Sequence, residues 1–322
     1  MAAGRAAPAS SQVAPTGVGW SGGAGVAPRS VGAWLLATRP KTLAAGAIPV
    51  AVGTALAFGC GMGRVGPAIA ALIGALLIQV GTNLTNDYYD FKKGADTADR
   101  LGPLRAAQAG LLPPRAVLAG ALVSFGCAFA VGMYLVAVSG WPILVVGIVS
   151  LIAGYAYTGG PFPLAYHGLG DLFVIVFFGL VAVAGTFFVQ AQTVTPLAIW
   201  AGVPVGALAT ALLAVNNLRD AVTDAKANKR TLVVRFGTAF GRAECFVMYG
   251  IAFATPVLLL ATGFVRWPVL IALLAAPLAV GPLRLVAKES GAVLNRALGG
   301  TARVIVVFGL LFAVGLYFGA GA

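Results

Sequence analysis

Residues 66–86 read GPAIAALIGALLIQVGTNLTN, and the acidic sequence Asp87-Tyr88-Tyr89-Asp90 follows immediately. About 20 mostly apolar residues are enough to cross the hydrocarbon core of a lipid bilayer. The stretch therefore predicts a transmembrane helix that ends directly at an acidic segment.

Most of the chain after residue 40 consists of similar apolar segments. Hydrophobic residues make up 60% of the 322 positions and charged residues only 9%, a balance that is typical of a membrane-embedded bundle and not of a soluble domain. We predict an all-α, polytopic membrane domain over residues 31–322, and a disordered tail over residues 1–30, which are rich in Ala, Gly, Pro and Ser. The nine predicted transmembrane helices cover residues 42–62, 66–86, 115–138, 141–158, 169–190, 195–217, 239–262, 266–287 and 301–320.

The distribution of basic residues predicts the orientation of the chain. The formal net charge is +12, but the Lys and Arg residues interrupt apolar segments instead of forming a patch on a soluble domain, so we predict no nucleic-acid partner. With nine spans, only Arg64 and Arg266 of the 21 Lys and Arg residues fall on one side of the membrane. The positive-inside rule then places the N-terminus and the other basic residues in the cytoplasm, as expected for a multi-pass protein of the cell membrane.

Two polar segments on the basic side, residues 87–114 and 218–238, are predicted to be loops, and the residues at their beginnings share one spacing. Asn83 and Asn86 precede Asp87 and Asp90 by four residues each, and Asn216 likewise precedes Asp220 by four. Residues three or four positions apart lie on the same face of a helix. The spacing therefore predicts two carboxylate stripes, the second of which also contains Asp224.

Carboxylates that lie close together repel each other unless a cation neutralises them. Mg²⁺ accepts a few carboxylate oxygens together with water and phosphate oxygens, whereas Zn²⁺ prefers His and Cys ligands, and the chain has one His and three well-separated Cys. The many cations around the acids suit a diphosphate. The residues thus predict a Mg²⁺–diphosphate site. A simpler alternative is that these loops are merely charged because they face water.

Several motifs, in order along the chain, resemble those of the UbiA superfamily of intramembrane aromatic prenyltransferases. They are the acidic runs 86–96 and 216–224, the stretch 99–105, the sequence Lys229-Arg230-Thr231-Leu232, the sequence Arg39-Pro40-Lys41 before the first span, and residues 157–163 after the fourth. The resemblance implies nine helices around a central cavity that opens to lipid, with Mg²⁺ between the acids and a prenyl diphosphate. It is strongest to the members that prenylate 1,4-dihydroxy-2-naphthoate in menaquinone synthesis, so the implied substrates are that compound and a polyprenyl diphosphate.

The resemblance and the residue pattern together give a set of predicted site residues. Tyr155 and Tyr157 are included because aromatic rings stabilise nearby cations, such as an allylic cation. Asp171 and Glu244 fall near helix starts, where a negative charge is favourable, and are predicted to lie outside the site. The predicted metal ligands are Asn86, Asp87, Asp90, Asp96, Asn216, Asp220 and Asp224; the predicted catalytic residues are Asp90, Asp220, Asp224, Lys229, Tyr155 and Tyr157; the predicted substrate contacts are Arg39, Lys41, Lys92, Arg105, Arg230, Asn83 and Asn217.

Two alternatives remain open at this point. The acceptor of the prenyl group is also compatible with another aromatic compound, such as 4-hydroxybenzoate. A secondary transporter has intramembrane carboxylates as well, although a transporter places them near the middle of the membrane and these acids lie at one face.

Overall fold

The computed structural model describes residues 25–95 and 100–321. These residues form an all-helical bundle, and the described part of the chain contains no β-strand. The α-helices are α1 (Val31–Thr38), α2 (Pro40–Gly59), α3 (Val65–Lys92), α4 (Pro114–Ser139), α5 (Trp141–Ala156), α6 (Gly170–Val174), α7 (Ala182–Ala191), α8 (Pro196–Lys226), α9 (Leu232–Phe236), α10 (Thr238–Ala261), α11 (Ala276–Lys288) and α12 (Leu294–Gly319). A π-helix, Ile175–Val181, joins α6 to α7, and 3₁₀ segments cover Leu164–His167, Trp267–Ala275 and Gly291–Val293.

Among the described residues, eight helical segments are long and apolar enough to cross a membrane. They correspond to eight of the nine predicted spans, and the remaining span coincides with α5, which has 16 residues and is shorter than the others. The prediction of a polytopic all-α membrane protein is confirmed, although α5, which corresponds to the fourth predicted span, is shorter than the usual spanning length. The short helix α1 was not predicted.

The helix ends differ from the predicted ones at the two acidic segments. Helix α3 continues to Lys92 and α8 to Lys226, whereas the predicted spans end at residues 86 and 217. The prediction that loops begin at residues 87 and 218 was therefore wrong. It placed the boundaries at the change from apolar to polar residues, but helical hydrogen bonding continues past the apolar part of each helix into polar surroundings. The acids consequently lie on the last turns of two rigid helices.

The predicted tail ends at residue 30, but its last two residues already belong to the folded part of the chain. The amide of Arg29 donates a hydrogen bond to the carbonyl of Leu111 at 2.8 Å, and the Ser30 side chain caps α1 by accepting from the amide of Ala33. Residues 1–24 of the predicted tail lie outside the described residues.

Helix α8 is the most buried of the membrane-spanning segments, and it packs against α2, α7, α10, α12 and the π-helix. Gly202 and Gly206 let the π-helix approach closely, since a Cβ atom on either residue would lie within 2.7 Å of a backbone carbonyl oxygen of the π-helix. Small residues at such crossings are common between membrane helices. This contact fixes the π-helix as one wall of a large apolar cavity.

Candidate active site

The two acidic motifs meet at one end of the bundle, around a small polar cavity of about 50 Å³. The last turn of α3 contributes Asp90, and the last turns of α8 contribute Asp220 and Asp224. Acids from the two predicted carboxylate stripes therefore line the same cavity. The lining residues are Arg39, Asp90, Ala95, Arg100, Arg105, Asn216, Asp220, Thr223, Asp224 and Lys229.

Both carboxylate oxygens of Asp90 have partners. Arg105 Nη2 lies 2.8 Å from Asp90 Oδ2, and both side chains are buried. The hydroxyl of Tyr166 donates to Asp90 Oδ1, also at 2.8 Å. The segment that follows α3 thus folds back, and its Arg105 neutralises the first motif.

The second motif is organised by Arg219, which is 2% exposed. Its guanidinium donates through Nε and Nη2 to the two oxygens of Asp220, and Nη2 also donates to Asn216 Oδ1 at 2.7 Å. A planar guanidinium with two parallel bonds holds a carboxylate in one orientation. Arg219 was not among the predicted site residues, although it lies within the motif.

Asp224 differs from the other acids of the cavity because one of its oxygens is free. Its Oδ1 lies 3.5 Å from Lys229 Nζ, while the buried Oδ2 has no hydrogen-bond partner among the described residues. A buried, unsatisfied carboxylate oxygen is costly and commonly indicates an absent ion or water.

The oxygen-rich cavity fits a Mg²⁺ ion. Within residues 25–95 and 100–321 no three Asp, Glu, His or Cys side chains converge closely enough to hold a metal by themselves. Mg²⁺ typically takes one or two protein carboxylates and completes its shell with waters and substrate phosphates. The Asp224 Oδ2 atom, with Asp220, Asp90 and the Asn216 amide oxygen nearby, satisfies that requirement.

Two lysines near the acids differ in the direction of their pKa shifts. Burial lowers the pKa of Lys93; the negative charge of Asp90 offsets part of this effect, and the positive charge of Lys229 adds to it. Burial alone would also lower the pKa of Lys229, but the negative charges of Asp224, Asp90 and Asp220 outweigh it and raise that pKa. Lys229 therefore remains protonated and is the ammonium group of the cavity.

Asp87 was predicted to bind metal, but both of its oxygens accept backbone hydrogen bonds. Asp87 Oδ2 accepts from the amide of Ala106 at 3.0 Å and Oδ1 from the amide of Ala107 at 3.3 Å. The carboxylate thereby anchors the segment that carries Arg105. This geometry supports a structural role for Asp87.

We expect an Asp87→Asn protein to be less stable by about 1–3 kcal/mol, because the amide group of Asn would meet a backbone N–H as donor against donor. The melting temperature in detergent should fall, while the Mg²⁺ concentration for half-maximal activity should stay unchanged. A marked rise in the required Mg²⁺ at unchanged stability would instead assign Asp87 to the metal.

Several other predicted residues lie away from the small cavity. Asn83 donates to the carbonyl of Thr38 and to the hydroxyl of Thr42, both at 2.9 Å, so it joins α3 to α1 and α2. Lys92 lies above the Tyr88 ring on the exposed end of α3, and Arg230 is exposed. Asn217 is buried on α8 and lines neither cavity. Asp96 and the side chain of Lys41 lie outside the described residues.

A large apolar cavity of about 360 Å³ lies next to the acidic end of the bundle. Asn86 and Tyr157 line it near the acids, and the amide oxygen of Asn86 accepts from the hydroxyl of Thr158 at 2.6 Å. Far from the acids, the lining includes Val136 near the C-terminal end of α4, Ile143 near the N-terminal end of α5 and Val189 near the C-terminal end of α7. The cavity therefore extends along the bundle from a polar corner into an apolar interior.

The two predicted catalytic tyrosines have different surroundings. Tyr157 lines the large cavity, whereas Tyr155 is absent from both linings and shares a short hydrogen bond with the hydroxyl of Tyr89. Lys93 Nζ lies 4.2 Å from the centre of the Tyr166 ring and donates to the carbonyl of Thr158 at 2.8 Å. Tyr166 and Lys93 thus belong to the site, although neither was selected from the sequence.

Asp171 and Glu244 lie outside the small cavity, as predicted, but their relationship was not foreseen. The two carboxyl groups lie close enough to interact, across the start of α6 and the first turns of α10. No spacing in the sequence indicated that these two residues meet.

Comparisons with known proteins give a consistent picture. The profile of the UbiA prenyltransferase family matches residues 46–299. Among similar proteins, the 1,4-dihydroxy-2-naphthoate octaprenyltransferase of Escherichia coli (strain K12) is 39% identical over 294 residues, which cover 88% of this chain and 95% of that protein. The enzyme of the same name from Mycobacterium tuberculosis is 38% identical over 290 residues, covering 89% and 97%.

Solved structures with the same fold have much lower sequence identity. A UbiA homologue from Aeropyrum pernix K1 superimposes with a TM-score of 0.65 at 14% identity, covering 83% of this chain and 96% of that chain. A UbiA homologue from Archaeoglobus fulgidus, solved with GPP and Mg²⁺, gives a TM-score of 0.60 at 16% identity, covering 88% and 100%. These structures share the helical architecture described above.

Proposed function

This chain belongs to the UbiA prenyltransferase family, and on that basis we propose that it transfers a polyprenyl group from polyprenyl diphosphate to 1,4-dihydroxy-2-naphthoate. Pyrophosphate and CO₂ are released, and the product is demethylmenaquinol. The observation that carries the proposal is that a small acidic cavity and a large apolar cavity are lined by residues one helical turn apart on α3, Asp90 and Asn86, inside a multi-pass membrane protein. A prenyl diphosphate has a charged head that suits the first cavity and a long apolar tail that suits the second.

The identity of the acceptor rests on the relatives. Proteins that match most of this chain at 32–39% identity carry the name 1,4-dihydroxy-2-naphthoate octaprenyltransferase. Their name specifies an octaprenyl group, whereas we propose only a polyprenyl group for this chain. Two solved structures of a UbiA homologue from Archaeoglobus fulgidus, each 16% identical to this chain, contain Mg²⁺ together with DMAPP or GPP, which supports a Mg²⁺-dependent reaction.

The acidic cavity binds the diphosphate head. Asp224 would bind Mg²⁺ directly, with Asp220, Asp90 and Asn216 placed around the ion to bind it directly or through water. The ion would supply the charge that neutralises the departing pyrophosphate. Lys229 and Arg105 place fixed positive charge beside the oxygen atoms of the diphosphate. Preorganised charges of this kind, in a site that excludes water, stabilise a transition state more than they do in bulk solvent.

The prenyl tail lies in the large cavity, where apolar walls replace water around its carbon atoms. Tyr157 lines the part of this cavity close to the acids, so its ring lies near the carbon that loses pyrophosphate. An aromatic face attracts a cation, and the apolar surroundings protect an allylic cation from hydrolysis. The electron-rich naphthalene ring then forms the new carbon–carbon bond.

We further propose that the protein lies in the cell membrane with the acidic cavity on the cytoplasmic side. The excess of Lys and Arg at the acidic end of the bundle supports this orientation. Both proposed substrates carry negative charges, and a basic surface on that side attracts them.

Mass spectrometry of the products tests the proposal. Purified protein in lipid is incubated with a prenyl diphosphate and 1,4-dihydroxy-2-naphthoate, with and without Mg²⁺. We expect a prenylated, decarboxylated product only when Mg²⁺ is present. A product formed only from 4-hydroxybenzoate or another aromatic compound would replace the proposed acceptor, and the absence of any prenylated product with tails of several lengths would reject prenyl transfer.

Arg39 is proposed to contact the carboxylate of the acceptor, because it lines the small cavity and comes from the α1–α2 junction, outside both acidic motifs. We expect Arg39→Ala to raise the KM for 1,4-dihydroxy-2-naphthoate by about tenfold, the effect of losing one charge-assisted hydrogen bond. Steady-state kinetics with each substrate varied separately provide the measurement. An unchanged KM for the acceptor would refute this role.

A further inference from the structure

The first turn of α12 makes a bridge between the two acidic motifs. Asn295 lies on this turn, where its amide oxygen accepts a hydrogen bond from Arg219 Nη1 at 2.9 Å. Its amide nitrogen donates to the carbonyl of Leu101 at 2.7 Å. One side chain thus joins the arginine of the second motif to the segment that follows the first.

The segment around Leu101 packs tightly against this bridge. A Cβ atom on Gly102 would lie 2.8 Å from Arg219 Nη2, so the backbone passes directly over the guanidinium group. The side chain of Leu101 lies close to Gly291, on the 3₁₀ turn before α12. The Arg219 guanidinium is consequently enclosed by Asn295 on one side, by Gly102 on another, and by its own acceptors Asp220 and Asn216.

We propose that Asn295 is a positioning residue for the metal–diphosphate site, acting through Arg219. This inference rests on the proposed function. Asn295 holds the guanidinium in the one orientation in which its other nitrogen atoms fix both oxygens of Asp220 and the amide oxygen of Asn216. These are the oxygens proposed to face Mg²⁺, so their positions depend on a residue that contacts neither metal nor substrate.

The energetics favour this interpretation over passive packing. A buried guanidinium needs partners for its donors, since an unsatisfied one is costly. Without Asn295, the Nη1 donor of Arg219 loses its acceptor. The guanidinium can bring Nη1 to another acceptor only by turning away from Asp220 or Asn216. The expected consequence is weaker binding of Mg²⁺ and diphosphate, with no direct effect on the acceptor.

The test compares Asn295→Ala with Asn295→Asp and with Arg296→Gln. The Asp variant keeps an acceptor for Arg219 but cannot donate to the carbonyl of Leu101. Arg296 is exposed on the same turn of α12 and serves as the control. The first readout needs no turnover: the rise in melting temperature when Mg²⁺ and the unreactive geranyl thiolodiphosphate are added together to folded, monodisperse protein. The second is the KM for each substrate and the half-saturating Mg²⁺ concentration.

In Asn295→Ala we expect the ligand-induced rise in melting temperature to shrink. The half-saturating Mg²⁺ concentration and the KM for prenyl diphosphate should increase by about tenfold, with the KM for the acceptor unchanged. Asn295→Asp should behave much more like wild type, and Arg296→Gln should equal it. If Asn295→Ala lowers only the basal melting temperature, or if Asn295→Asp is as impaired as Asn295→Ala, the positioning role is overturned.

Gly102→Ala gives a second test that does not depend on the folding of Asn295→Ala. The added methyl group would press on the same guanidinium at Nη2, whereas Asn295 contacts Nη1, and the same loss of Mg²⁺ and diphosphate binding is expected. Wild-type ligand binding in Gly102→Ala would contradict the inference. If wild-type protein is stabilised by the ligand pair but forms no prenylated product, the proposed function fails while these comparisons still decide the role of Asn295.

Discussion

Asp224→Asn is expected to reduce turnover by about 100- to 1000-fold, the range observed when one preorganised electrostatic group is removed from an active site. Asn has nearly the same shape as Asp, so the change removes charge and leaves the packing of α8 intact. The lost charge is that of the one cavity carboxylate whose buried oxygen has no partner among the described residues. Product formation measured by mass spectrometry over a range of Mg²⁺ concentrations provides the test.

Glu289→Gln is the matched control for this prediction. It also converts an acid to its amide on the basic side of the bundle, but Glu289 is exposed at the end of α11 and lines neither cavity. We expect its turnover to equal that of wild type. Equal activity of Asp224→Asn and Glu289→Gln would remove Asp224 from the proposed metal site.

Gly185→Leu is expected to produce the second large effect, a selective loss of activity with long prenyl tails. Gly185 lines the large cavity on α7, and a Cβ atom there would meet no other atom within 4 Å. A leucine side chain would therefore project into the cavity without displacing neighbouring side chains or backbone. Because α7 leads away from the acidic end, the obstruction lies far from the diphosphate. Turnover of geranyl diphosphate should persist, while turnover of long polyprenyl diphosphates should fall by about tenfold or more. The loss is expected because several methylene groups of a long tail could no longer be buried in the cavity.

Gly250→Leu is the control for steric change in the membrane region. Gly250 also has open space around its Cβ position, but it is exposed on α10 and does not line the cavity. We expect no change in the preference for tail length. Equal loss of short- and long-tail activity in Gly185→Leu would contradict the placement of the tail in this cavity.

The acidic residues were largely predictable from sequence because their chemistry and their spacing carry the same information. Asp90, Asp220 and Asp224 have helical spacing, lie at the ends of apolar segments, and meet as expected. Spacing alone could not separate their roles from that of Asp87, which lies on the same helix. The difference is set by the amides of Ala106 and Ala107, about 20 residues later in the chain, and the path of that segment has no signature in the sequence.

Contacts between distant parts of the chain account for most of what the sequence did not reveal. Asn295 meets a carbonyl 194 positions earlier in the chain, and Asp171 interacts with Glu244, an acid on another helix. The helix ends were misplaced for a local reason, because hydropathy reports where lipid ends and not where helical hydrogen bonding stops. The π-helix also had no visible signal, since its residues are as apolar as those of a regular helix.

The acids Asp90 and Asp224 lie on the last turns of α3 and α8, and this placement has an electrostatic consequence. Each helix dipole presents partial negative charge at its C-terminal end, so the dipoles of both helices add to the negative potential of the carboxylates instead of offsetting it. Negatively charged side chains at this end are unfavourable by themselves. The cations Arg39, Arg105 and Lys229 line the same cavity and offset both the acids and the helix dipoles. The apposed helix ends therefore favour a diphosphate that arrives together with Mg²⁺ over one that arrives alone.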